Sequence, residues 1–246
     1  MEIQEKSGFS AFLNRQMRYG VYGSSGKPVL FFPCQGGSYR DFAGFHMSDV
    51  WEPWISSGQC TVFTADSIDS ESWASPHWDK HRRMEIHERW VRYIVEELVP
   101  NIREITGCRE ILTCGCSLGA MHAANLYYRF PNVFGGCFAL SGVYDHTYFM
   151  GDYCDDLVYR SCPCLYLKNL PADHPYRRLY ARQKSLIVCG QGAWEEDVLR
   201  STRWLDEVCR ENGIPTRFFY WGQDVSHDWC WWYKMVQTYL PAFLKD

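Results

Sequence analysis

The sequence predicts an α/β fold, a mostly parallel central sheet with helices on both faces, and three observations carry that expectation. Short uninterrupted apolar runs recur along the chain, as they do in strands buried on both faces. Stretches of helical periodicity alternate with them, which is the order a parallel sheet requires. Between one such run and one such helix stands Gly115-Cys116-Ser117-Leu118-Gly119, a Gly-x-Ser-x-Gly turn.

Taken in order, residues 11–25 read as antiparallel edge strands with a Gly-Ser turn, and Val29-Leu30-Phe31-Phe32 is the first buried run. Thr61-Val62-Phe63-Thr64 is the second. From Lys80 to Val99 the apolar positions Ile86, Trp90, Tyr93, Ile94 and Leu98 fall at helical spacing, with Pro100 as the expected stop. Ile111 to Cys114 form the strand entering the turn, and Ala120 to Tyr128 the helix leaving it. Further strands are expected at Gly136–Leu140, Ser185–Cys189 and Arg217–Tyr220, and helices at 196–212 and 229–240. Residues 143–181, rich in Tyr, Asp and Pro, fit no long regular element and read as an insertion over the carboxyl ends of the strands, where pockets form in such sheets.

Composition bounds the rest. A length of 246 residues suits one α/β domain over 1–246, and 46% hydrophobic residues suffice for a substantial core. A net charge of −4 without any dense Lys/Arg run argues against a nucleic-acid partner. The first residues carry no apolar core behind a basic start, and no segment has transmembrane length, so a cytoplasmic protein with no membrane partner is expected. The twelve cysteines read as thiols, with Cys114, Cys137 and Cys189 inside strand runs. Cys114-x-Cys116 and Cys162-x-Cys164 lack zinc spacing, and His77 and His81 lack the glutamate of a metalloprotease helix, so no metal and no cofactor is expected.

The turn at Ser117 has the form of a nucleophile elbow, which exposes its central residue. In that register Ser117 is the nucleophile and Cys116 is turned away. An acid after a later strand and a histidine near the end of the chain should follow. Gly190-Gln191-Gly192-Ala193-Trp194-Glu195-Glu196-Asp197 supplies the acidic loop, and Gly222-Gln223-Asp224-Val225-Ser226-His227-Asp228-Trp229 supplies His227. The oxyanion of a tetrahedral intermediate needs two backbone donors. One is expected at Leu118, the other in the glycine-containing loop Pro33-Cys34-Gln35-Gly36-Gly37-Ser38-Tyr39. Trp73, Tyr144, Tyr148, Trp194 and Trp229 are candidates for aromatic pocket walls suited to aryl or sugar-like acyl groups, while Asp69 and Glu71 either read a polar substrate or cap a loop. The aromatic helix Trp229-Cys230-Trp231-Trp232-Tyr233-Lys234-Met235 offers a face for a homodimer contact.

The elbow followed by His122-Ala123-Ala124-Asn125, with Arg129-Phe130-Pro131, Leu140-Ser141-Gly142-Val143-Tyr144-Asp145, Gly190 to Glu195 and Ser226-His227-Asp228-Trp229, resembles the esterases related to esterase D, a branch of the α/β-hydrolase superfamily. The likeness runs over nearly the whole chain from Pro28. More distantly the chain is similar to S-formylglutathione hydrolases and bacterial mycolyltransferases. The resemblance implies an acyl-transfer enzyme in which Ser117 attacks the acyl carbon and His227 moves the proton. Counting as in the two distant groups favours Glu196 as the acid, with Glu195 as its rival; Asp197 and Asp228 are weaker candidates, explained equally well as helix N-terminal acids. The same analogy favours Gln35 over Gly36 as the second oxyanion donor. The expected activity is hydrolysis of a small carboxylic ester or thioester through an acyl-enzyme. The alternatives are acyl transfer on the same residues, peptidase activity, and a catalytically silent binding module.

Overall fold

The computed structural model describes residues 3–245. Strands β1 (Gln4–Ser10) and β2 (Arg15–Tyr22) open the chain as an antiparallel hairpin, and β3 (Lys27–Phe32) follows. Helices α1 (Asp41–Gly44) and α2 (Met47–Ser56) precede β4 (Cys60–Ala65); α3 (Lys80–Arg92) and α4 (Val99–Thr106) precede β5 (Ile111–Cys116). Then come α5 (Leu118–Arg129) and β6 (Phe134–Leu140), and four short helices, α6 (Thr147–Met150), α7 (Asp156–Arg160), α8 (Pro163–Tyr166) and α9 (Tyr176–Tyr180). The chain ends with β7 (Lys184–Cys189), α10 (Glu196–Glu211), β8 (Arg217–Tyr220) and α11 (Trp229–Leu244). All eight strands form one sheet in the order β1-β2-β4-β3-β5-β6-β7-β8, parallel from β4 through β8 and antiparallel only where β2 joins β1 and β4.

Alternation along the central strands sorts the core into two layers. Leu30 and Phe32 of β3, with Cys137 and Ala139 of β6, pack with Trp90, Ile94, Ala123, Tyr127 and Leu205 under α3, α5 and α10. Val29 and Phe31, with Phe138 and Leu140, face the other way onto Trp51 of α2 and Met235, Val236 and Leu240 of α11. That two-sided burial is why these strands read as continuous apolar runs. A third, smaller cluster joins Trp73, Met84, Met150 and Val158 to Leu118 and Met121 at the start of α5, so residues 143–181 pack beside the elbow.

Three local expectations change. The hairpin turn falls at residues 11–14, where Asn14 adopts φ 52°, and the Gly-Ser stretch instead links β2 to β3. Asn tolerates the left-handed region better than most residues, so it closes the turn without glycine. Pro100 does not stop its helix: a π-helical stretch, Tyr93–Leu98, runs without a break into α4, and the proline sits just past the junction of the two. Helix α2, not expected from the sequence, forms in spite of Pro53 and buries Met47, Trp51 and Ile55. Among the described residues the twelve cysteines are free, and no helix is long and apolar enough to cross a membrane.

Candidate active site

Ser117 sits between β5 and α5 at φ 57°, ψ −127°, a backbone conformation rare for any residue with a side chain and one that tight packing must enforce. The two glycines make it attainable. A Cβ on Gly115 would lie 2.3 Å from the Gly119 carbonyl oxygen, and one on Gly119 would lie 2.3 Å from that of Phe32. Only bare backbone lets strand, turn and helix approach so closely. Ser117 N–H is anchored on Leu140 O at 2.9 Å. Cys116 points into the core, where burial holds its thiol far above the usual range, and burial likewise pushes Cys34 up to about 12. Neither thiol supplies a thiolate at neutral pH.

His227 reaches Ser117 from the loop between β8 and α11, with Nε2 2.9 Å from the serine Oγ. Its loop is laced to the one following β7: Gly192 N–H donates to Val225 O at 2.8 Å, and His227 N–H donates to Ala193 O at 3.0 Å. Gly190 permits this, since a Cβ there would stand 2.2 Å from Val225 O. Trp194 then takes φ 67°, a left-handed conformation unusual for so bulky a residue, and the chain turns inward at Glu195 before α10 begins. The fully buried Glu195 places Oε1 3.4 Å from His227 Nδ1. This is ion-pair distance, though the alignment is short of a formed hydrogen bond.

The acid favoured by analogy, Glu196, is therefore not the one against the histidine. It is the exposed first residue of α10, on the rim of the cavity, because the left-handed turn at Trp194 sends one glutamate in and the next out. Asp197 is exposed beside it, ion-paired to Arg200, and Asp228 is the residue preceding α11. Two expected pocket aromatics are corrected as well. Trp73 is wholly buried in the third cluster, with its ring 5.5 Å from His87 and 6.0 Å from Phe149. Tyr144 is wholly buried under α10, where its backbone N–H meets Ser201 Oγ. Each is a large apolar side chain next to a deep core, and burial outweighs exposure at the pocket. Trp229 stacks on Phe45 at 4.7 Å, and Tyr233 donates to Phe45 O, so part of the aromatic face of α11 is covered by its own chain. Glu71 forms a bidentate pair with Arg15 of β2.

Ser117 and His227 open into a cavity of about 630 Å³ walled by Val143, Tyr148, Phe149 and Trp194, with Gln35, Leu118, Glu196 and Asp197 also along it. Trp194 is 82% exposed at its edge. A larger cavity, about 1070 Å³, lies at the amino ends of the strands around Lys27, Leu112 and Lys184; it is remote from these groups and holds none of them. Of the two expected oxyanion donors, Leu118 is the first residue of α5, so its N–H has no carbonyl to meet within the helix. Gly36 N–H is taken by Asp69 Oδ2 at 3.3 Å, whereas Gln35 N–H makes no hydrogen bond among the described residues.

Sequence reasoning missed what surrounds Glu195. Ser141, at φ 53°, donates from Oγ to Glu195 Oε1 at 2.7 Å and accepts from Trp232 Nε1 at 3.1 Å. An indole N–H can only donate, so it fills an acceptor site on Ser141 and leaves the hydroxyl proton for the carboxylate. Trp232 also stands edge-on to the His227 ring at 4.9 Å. The signal was present in Leu140-Ser141-Gly142, a hydroxyl at the carboxyl end of the strand next to the elbow strand.

A parallel sheet with a strained serine between strand and helix, and a late histidine on it, defines an α/β hydrolase. Residues 10–242 match the family model described as "Putative esterase", and the chain belongs to that esterase family. No curated protein sequence matches it. Among solved structures it is similar to a ferulic acid esterase (17% identity, 99% of this chain and 97% of that one, TM-score 0.75). It is also similar to an S-formylglutathione hydrolase from Agrobacterium tumefaciens (15%, 98% and 93%, TM-score 0.72). A third likeness is to MPT51 (FbpC1) of Mycobacterium tuberculosis (11%, 99% and 98%, TM-score 0.75). At these identities the likeness is one of fold.

Proposed function

We propose that the protein is a serine hydrolase of small carboxylic esters or thioesters, acting through an acyl-enzyme on Ser117 with His227 as base and Glu195 as acid. The observation that carries this reading is the 2.9 Å approach of His227 Nε2 to the Oγ of a serine held at an elbow φ of 57°. In acylation, Ser117 Oγ bonds to the acyl carbon while Nε2 takes its proton. Glu195, buried and one atom layer behind, favours the charged imidazolium. The carbonyl oxygen becomes an anion met by the N–H groups of Leu118 and Gln35. Collapse expels the alcohol or thiol, which leaves with the proton from His227. Water then repeats the sequence on the acyl-serine and releases the acid.

The aromatic walls Tyr148, Phe149 and Trp194 favour a flat acyl group, and Glu196 and Asp197 at the rim disfavour anionic substrates. Structural neighbours described as ferulic acid esterases are in keeping with an aryl acyl group. The test is labelling with a fluorophosphonate followed by turnover of neutral aryl esters. Wild type is expected to label stoichiometrically and Ser117→Ala not at all; a folded wild type that stays unlabelled and inert refutes the reading.

A further inference from the structure

Asp69 is almost fully buried, and nothing in the triad uses it. Its carboxylate receives three donors. His122 Nε2 stands 2.8 Å from Oδ1, while Ser67 Oγ at 2.6 Å and Gly36 N–H at 3.3 Å meet Oδ2. A buried carboxylate persists only with such donors around it. What matters is where they come from. Ser67 shares the loop after β4 with Asp69 itself, Gly36 belongs to the loop after β3, and His122 is on α5, one turn beyond Leu118. The two elements that Asp69 ties together across space are thus the two that would carry the oxyanion donors.

The loop after β3 is a tight turn closed by Gly37 N–H on Cys34 O at 2.9 Å, with Gln35 and Gly36 as its central residues and Gly36 at φ 66°. In such a turn neither central N–H is spent on closure. Asp69 takes one of them and leaves the other, at Gln35, on the wall of the cavity beside Ser117.

We propose that Asp69, held by His122, is a positioning residue of the oxyanion hole: it fixes the loop after β3 against the nucleophile helix and selects Gln35 N–H as the donor left for substrate. The inference rests on the reading of Ser117 as nucleophile. His122 is confined for this task, its ring lying 4.7 Å from Trp90 and stacked 5.5 Å from His87, with only Nε2 partnered. Asp69 touches no reacting atom; it acts through the loop.

The test compares Asp69→Ala, Asp69→Asn and His122→Phe with wild type and Ser117→Ala, using a neutral aryl ester. Rates are divided by the fraction of sites titrated to completion by fluorophosphonate. Loss of the hold on one oxyanion donor should lower kcat per titrated site of Asp69→Ala by about 10- to 100-fold, short of or approaching the loss of a whole donor. KM should stay within about twofold, because the donor strengthens its grip in the transition state rather than on bound substrate. The pH profile of kcat should keep its shape, because the contacts of His227 with Ser117 and Glu195 are untouched. Asp69→Asn keeps an oxygen for Gly36 and an amide for a tautomer-switched His122, and should retain kcat to within about fivefold. His122→Phe keeps the ring and deletes the Nε2 donor; it should fall between the two and serves if Asp69→Ala does not fold. An unchanged kcat per titrated site in Asp69→Ala and His122→Phe overturns the proposal, as does a drop in Asp69→Asn equal to that of Asp69→Ala. Should wild type itself fail to label, or Ser117→Ala label equally, the nucleophile assignment fails first and takes the inference with it.

Discussion

His227 and Glu195 reach Ser117 on loops joined through their backbones, by Gly192 to Val225 and His227 to Ala193, and Ser141 and Trp232 then complete the support with side chains. Across Ser117, the loop that carries Gln35 and Gly36 has one long backbone tie to the neighbouring loop, Ser67 N–H to Gly37 O at 3.4 Å, and is otherwise held by side chains: Asp69 on Gly36 N–H, Asp66 on Tyr39 N–H at 3.2 Å, and Thr64 Oγ1 on Tyr39 O at 2.6 Å. The difference teaches where substitutions act. On the acid side the main chain keeps the geometry, so side-chain changes should alter charge and proton transfer. On the other side, side chains keep the geometry, with Asp69 alone on the turn at Gly36, so a change there should displace a donor.

The largest expected effect that sharpens this contrast is on the acid side. Glu195→Gln should lower kcat by about 10²- to 10⁴-fold with little loss of fold, since the loop is held by backbone. Glu196→Gln, on the cavity rim, should leave kcat within about threefold, as steady-state turnover of a neutral ester will check. Equal losses in the two variants would break the contrast. Next comes Ser141→Gly, which deletes the hydroxyl while keeping the positive φ comfortable. A hydrogen bond to a charged group is worth about 1.5–3 kcal/mol, so a loss of about tenfold or more in kcat is expected.

The sheet and the elbow were legible in the sequence because each has a pattern with a physical cause. Two-sided burial makes β3 and β6 continuous apolar runs, and the close approach of α5 to β3 demands Gly119. His227 was legible because it follows a strand late in the chain. The carboxylate beside it was not, because Glu195 and Glu196 are adjacent and only the left-handed turn at Trp194 separates their directions. No periodicity encodes such a turn in a non-glycine residue. Trp73 and Tyr144 were misread for a related reason: an aromatic in the loop that follows a strand can face the pocket or the core, and the packing that decides lies in other elements. Asp69 and His122 were visible as residues, but their pairing spans 53 positions and became apparent only once the loop after β4 was placed against α5.

The smallest expected effect concerns stability behind the oxyanion side. His87 is buried with both ring nitrogens unpartnered, and burial, reinforced by His122 and Arg129, holds its pKa well below 6.5. In the unfolded chain it titrates near 6.5, so below that pH the unfolded state takes up a proton that the folded state refuses. Stability is therefore lost as the pH falls from about 6.5, at up to about 1.4 kcal/mol per pH unit for this one group. His87→Phe should flatten the acid-side decline of Tm between about pH 6.5 and 4.5, read by thermal melts at half-unit steps; an unchanged slope would remove His87 from the account.

The most direct test of the central claim is to quench a reaction with a slowly deacylated aryl ester in acid and map the acyl mass on proteolytic peptides. The account predicts one acyl group per chain, on the peptide holding Ser117, accumulating further in Glu195→Gln if deacylation slows more than acylation. Acyl groups found on Cys34 or Cys116, or turnover with no covalent intermediate and full activity in Ser117→Ala, would contradict it.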